Sequence, residues 1–158
     1  MREILFKVKR VDNGEWVEGY YYKMSETTYC FKEDYERKPV PEHHYILQER
    51  MTDWGLQNQM VQIEIIPETL CQFTGLCDRY GNKIWENDIL KTWSDEYAQV
   101  KFGFYNTGFA IGNYNQGFYA AFSEDSDYRH ELGYWCKESY VRGNTFDNPE
   151  LLQEKSDE

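Results

Sequence analysis

Four cysteines, three histidines and 28 carboxylates are the groups in this chain that could hold a metal or act as nucleophile, acid or base. Spacing decides among these uses. Cys71 and Cys77 are separated by five residues, and Cys30 and Cys136 lie far from both. Structural zinc draws ligand pairs roughly two to four residues apart, and no C-x-x-C pair occurs, so the cysteines read as small buried apolar side chains. A cysteine nucleophile served by His130 is the alternative, and nothing in the spacing favours it. His43 and His44 are neighbours; on a strand they point to opposite faces and do not easily ligate one metal together. "SEDSD", residues 123–127, resembles an acidic calcium loop but lacks the mid-loop glycine and the distal Glu. It reads as a solvated acidic loop, with an adventitious cation as the alternative. No phosphate-cradling glycine loop, G-x-S-x-G elbow or H-E-x-x-H helix is present. Carboxylate pairs are numerous because the chain is acidic. These residues therefore yield no catalytic residue, no cofactor site and no metal site.

Charge sets the next limits. Asp and Glu total 28 against 17 Lys and Arg, a net charge of −11. Such a surface repels phosphate backbones, so nucleic-acid binding through a broad basic face is disfavoured and only a local patch is left for it. The plain reading of the acidity is solubility; the sharper one is a surface that docks a basic partner or imitates DNA. No run of about 18 apolar residues exists, so no membrane-spanning helix is expected. "MREILFKVKR" has neither the apolar core nor the cleavage site of a signal peptide. The expected location is the cytoplasm, with the thiols reduced.

The positioning elements read as β structure. Aromatics make up 18% of the 158 residues, a balance suited to pleated, half-buried surfaces. Ile4, Phe6 and Val8 alternate with Leu5, Lys7 and Lys9 as a strand does. Asp12-Asn13-Gly14 makes a tight turn, and "WVEGYYYKM" returns. Tyr20, Tyr21 and Tyr22 are consecutive, so at least one must face away from a one-sided core, either for sheet packing or as a sticky face for a partner. "ETTYCF" reads as a strand, "KEDYERKPVPE" as an exposed loop and "HHYILQE" as a short strand. "RMTDWGLQNQ" reads as irregular, and "VQIEII" as a strand ended by Pro67. Further on, Val100, Phe102 and Phe104 share one face. Asn106-Thr107-Gly108 turns the chain, Phe109 and Ile111 return, and Asn115-Gln116-Gly117 turns it again. Phe118, Ala120 and Phe122 then share the next inward face, completing a three-strand meander. Ser123 is placed to cap a short helix, "CKESYVRG" reads as a closing strand, and Asn148-Pro149 as a helix start.

The most patterned stretch is "CQFTGLCDRYGNKIWENDIL", residues 71–90. "CQFTGL" reads as a strand ending at Gly75, and "DRYGNK" as a turn. "IWENDILKTW" reads as a strand broken by an acidic corner, with Ile84, Ile89 and Leu90 turned inward. Hairpin, corner and meander are the layout of a small SH3-like barrel. The expected fold is mainly β (β-rich α+β) with few short helices. An N-terminal β region over 1–66 precedes an SH3-like β barrel over 67–150 and a charged tail over 151–158.

The same stretch resembles the YopX family of phage and prophage proteins. Its hallmark, Q-[YF]-T-G-L-x-D-x-x-G-x-x-I-[YW]-E-G-D-I, is matched by Gln72, Phe73, Thr74, Gly75, Leu76, Asp78, Gly81, Ile84, Trp85, Glu86, Asp88 and Ile89. The opening "MREILFKVKRVDNGEWVEGYYYKM" and the closing "VRGNTFDNPELL" are similar to the family's ends, so the resemblance covers nearly the whole chain. The family glycine in "E-G-D" is Asn87 here, the non-glycine residue most able to hold a left-handed backbone. The resemblance implies an SH3-like barrel and a gene carried by phages or integrated elements in a bacterial host, and it implies no activity. Gly75, Asp78, Gly81 and Asp88 read as loop-shaping residues. The leading expectation is a non-catalytic protein-binding or assembly module, joined to a host or phage protein or to itself. An enzyme with a cleft between the two β regions is one alternative. A barrel binding nucleic acid is the other, with "FKVKR" supplying the densest positive charge.

Overall fold

A computed structural model of the chain describes residues 1–25, 31–37, 41–107, 112–123 and 127–153. The chain is mainly β and divides into two compact units, Ile4–Leu70 and Cys71–Glu158, the latter together with Met1–Glu3.

In the first unit the opening hairpin forms as its turn residues dictate. β1 (Phe6–Lys9) pairs antiparallel with β2 (Trp16–Ser25), with Lys9 opposite Trp16. The Gly14 N–H donates to the Arg10 carbonyl at 3.0 Å, and Asn13 Oδ1 accepts the Glu15 N–H at 2.9 Å. β3 (Glu42–Arg50) pairs with β2, and β4 (Gln59–Glu64) with β3, giving the order β4-β3-β2-β1. Val8, Ile46, Ile63 and Ile65 close the core, with Phe6, Val17 and Tyr21 packed against them. Tyr20 is exposed, while Tyr22 stacks on Tyr45 at 5.4 Å. A single 3-10 turn, Pro67–Thr69, follows; there Thr69 Oγ1 accepts the Lys9 N–H at 2.9 Å and donates to the Ile66 carbonyl at 2.8 Å. One expectation is corrected here. Lys32–Arg37, read as exposed loop, is a short helix, α1, steadied by an i,i+4 pair between Lys32 and Glu36 at 3.6 Å. The strand expected over 26–31, Cys30 included, lies almost wholly outside the described residues.

The second unit begins with β5 (Cys71–Cys77) and β6 (Lys83–Trp85), an antiparallel pair with a bulge between Phe73 and Cys77. β7 (Asp88–Thr92), β8 (Tyr97–Asn106), β9 (Tyr114–Ala121) and β10 (Ser139–Asn144) form a four-stranded antiparallel sheet in the order β10-β7-β8-β9. Neither strand set of this unit closes on itself among the described residues, so the mainly β layout stands as an open sheet and a strand pair. α2 (Leu132–Glu138) buries Leu132, Trp135 and Cys136, an i, i+3, i+4 stripe, into cores formed with Ile84, Leu90, Val100, Ala98 and Ala120.

Three expectations shift in this unit. The helix starts at Leu132 without a side-chain cap, so Ser123 does not cap it, and it takes in Cys136, Lys137 and Glu138, which were read as strand. The apolar stripe on α2 outweighs the strand pattern of "CKESY". Asn115-Gln116-Gly117 does not turn: these residues sit inside β9, opposite Tyr105, Phe104 and Gly103. Phe102 and Phe104 share the face of buried Val100, as read, but are themselves exposed, because β8 runs beyond the core. The return residues Phe109 and Ile111 lie outside the described residues.

Candidate functional site

The patterned stretch builds a corner and a turn, and the turn carries a surface. Asp78 is buried at the start of the turn. Its carboxylate accepts the Tyr80 and Asn82 N–H groups at 2.9 Å each, the Asn82 side-chain amide at 3.1 Å and the Val141 N–H of β10 at 3.0 Å. Burial alone would push this carboxyl up; the hydrogen bonds from Val141, Asn82 and Tyr80 outweigh that and hold it below the usual carboxylate range. The next corner follows the same logic. Asn87 sits at φ 66°, in the left-handed region. Its N–H donates to the Val100 carbonyl at 2.8 Å, and its carbonyl accepts the Thr145 N–H at 3.0 Å. Buried Asp88 accepts the Trp85 N–H at 2.8 Å. The closing motif is also turn chemistry. Asn144 Oδ1 accepts the Phe146 and Asp147 N–H groups at 3.0 Å. Gly143 lies where any Cβ would collide with the Asn148 side chain.

With the turn pinned to β10, Arg79 and Tyr80 project beside Trp93, just after β7, and Tyr140 on β10. The Arg79 guanidinium carbon stands 3.5 Å from the Trp93 ring centre and 4.9 Å from that of Tyr80. Tyr80 meets Tyr140 edge-on at 5.7 Å. Lys91, opposite Tyr140 in the register, adds a second cation and pairs with Asp95 at 2.9 Å. Tyr80 and Trp93 are 64% and 63% exposed, so large rings held in place by a cation face solvent. Arg over an indole face is a favourable, geometry-setting contact. Sequence reading missed this cluster: its members come from a turn, a strand end and a second strand, with no shared spacing.

The other chemistry-bearing groups do not converge. His44 Nδ1 bonds the Tyr21 hydroxyl at 2.8 Å, whereas His43 Nδ1 meets Glu64 at 3.3 Å, so the neighbouring rings take separate partners. His130 Nδ1 is 2.9 Å from the Ala120 carbonyl. Cys136 Sγ donates to the Gly133 carbonyl at 3.3 Å, and burial pushes its thiol up. Cys71 is buried beneath Asn87, and Cys77 is exposed. Among the described residues no group of three or more His, Cys, Asp or Glu side chains could hold a metal. Glu124, Asp125 and Ser126 of the acidic loop lie outside the described residues. A groove of about 330 Å³ runs along β8 and β9 past Asp95, Glu96, Tyr97, Gln99, Lys101 and Leu152. Its Asp95 carboxyl is held below the usual range by the Lys91 hydrogen bond.

Fold and surface together define a two-unit, mainly β protein whose signature stretch is scaffold for an aromatic and arginine face. The family described as YopX protein matches residues 5–153, and the chain belongs to the YopX family. It is also similar to a solved structure, protein EF1440 from Enterococcus faecalis, at 18% identity over 96% of this chain and 99% of that one, with a TM-score of 0.46. No curated protein matches the chain. Among the described residues no helix is long and apolar enough to cross a membrane.

Proposed function

We propose that this chain is a non-catalytic protein-binding module that presents Arg79, Tyr80, Trp93 and Tyr140 to a protein partner. The observation that carries the reading is Trp93, 63% exposed with a guanidinium 3.5 Å from its ring centre. Trp, Tyr and Arg are the side chains over-represented where truncation costs binding most, and here they stand ready on a turn already locked by Asp78. Residues 67–150 then act as the binding domain, with 1–66 as a separate β region. Membership of the YopX family supports a phage or prophage setting in a bacterial host.

The test immobilises wild type and the Trp93→Ala and Arg79→Ala variants, each with a wild-type circular dichroism spectrum, in host and phage-infected lysates. A partner held by wild type should be lost or weakened at least tenfold by Trp93→Ala, since central aromatic hot spots are worth about 2 kcal/mol or more. Equal retention by wild type and both variants would defeat the reading.

A second reading has one observation in its favour. Lys7 and Lys9 place their ammonium groups 5.2 and 5.3 Å from the Trp16 ring centre, an aromatic flanked by cations of the kind single strands use. A flat isotherm with single- and double-stranded DNA at low salt would end it.

A further inference from the structure

We propose that a second copy of this chain docks on the outer edge of β9, antiparallel and across a two-fold axis falling within Tyr114–Gly117. The pairing continues the sheet of one copy into the next. This rests on observations separate from the Trp93 surface.

The first observation is the backbone. β9 is the last strand of its sheet. Its far end is covered, because the Ala120 N–H donates to the His130 carbonyl at 3.0 Å and Tyr119 bridges Glu131. N–H and C=O groups alternate in direction along a strand, so Tyr114 and Gln116 aim theirs to the same outer side as Ala120. No strand among the described residues pairs with that part of the edge.

The second observation is the face beside it. Phe102, Phe104 and Tyr114 are 53%, 70% and 63% exposed, and Phe118 meets Phe102 edge-on at 5.1 Å. The register puts all four on the face that is core at Val100 and Ala120. A second β9 alongside would double this overhang into one continuous apolar face.

Charge selects the occupant. A two-fold axis sets the strand against itself, so any charged residue near it would meet its own copy. Tyr114–Phe122 carries no charge at all in a chain of net charge −11. The other sheet edges are marked: β4 carries Glu64, β6 carries Lys83 and β10 carries Arg142. β9 also lacks the Lys or Pro that commonly blunts an exposed edge. Uncharged, self-compatible and flanked by aromatics, it fits a second copy better than a charged partner. Two-fold pairing consumes both edges, so assembly stops at the dimer.

The test is the solution mass of the full chain by light scattering across a dilution series. Wild type is expected at twice 19.1 kDa, and Gln116→Lys, with an unchanged circular dichroism spectrum, at the monomer mass. Trp93→Ala should stay dimeric. A wild type that remains monomeric throughout, or a dimer that survives both Gln116→Lys and Phe104→Ser, overturns the proposal. If Gln116→Lys does not fold, amide exchange of wild type decides. Protection at Tyr114 and Gln116 that rises with protein concentration supports the pairing, and concentration-independent exchange there overturns it.

Discussion

Asp78 is the residue that pins the Arg79–Tyr80 turn to β10. Its carboxylate satisfies backbone donors from its own turn and from β10, and an amide in its place would set an NH2 against at least one of them. Asp78→Asn should therefore lower unfolding free energy by about 1.5–3 kcal/mol, the range for hydrogen bonds to a charged group, read as a drop in urea midpoint at constant slope. The carboxyl is held below its usual value in the fold. Its contribution is thus complete above the unfolded value of 3.8 and is lost as pH falls from there through the folded pKa. Wild type and Asp78→Asn should accordingly converge in stability under strongly acidic conditions. That Asp78, Gly81 and Asn82 shape a turn was readable from residue type alone. The reach of Asp78 to Val141, 63 residues away, was not, because turn chemistry reports only local geometry.

At the scale of elements, the β6–β7 corner depends on one left-handed residue. Asn87 holds φ 66°, in the left-handed region that favours glycine. Asn87→Ala should cost about 1–3 kcal/mol, the range for strained backbone in this region. Asn87→Gly should stay near wild type, because relief at the backbone offsets the lost contacts to Gln99 at 3.2 Å and Cys71 at 3.8 Å. Chemical denaturation of the pair checks both. Strands with turn residues at their ends were legible, as β1, β2 and β4 show. The misreadings share a cause. "NQG" carries turn-type residues, yet in β9 the ladder with β8 overrides that local preference. "CKE" reads as strand, yet Trp135 and Cys136 bury as a helical stripe. In each case a long-range partner outweighed a local signal. The Arg79–Trp93–Tyr140 cluster was illegible for the same reason, since only the sheet brings its parts together.

For the whole molecule, net charge governs association. Two copies at −11 repel, and salt screens that repulsion over about 8–10 Å. Raising ionic strength should therefore shift the equilibrium between monomer and the proposed β9-paired dimer toward the dimer, opposite to the trend for an interface held by ion pairs. Sedimentation at low and high salt measures the direction.

The bond from Val141 to Asp78 also orders events in time. A chain leaving the ribosome exposes residues 78–93 long before it supplies β10. Until residue 141 emerges, Asp78 lacks its distant donor and Tyr80 lacks Tyr140, so the surface stays incomplete while most of the polypeptide has already been made. On the proposed binding role, a nascent or truncated product would present only part of the surface to a partner. Chains carried through β10 would then compete for it best, and incomplete copies would make poor decoys.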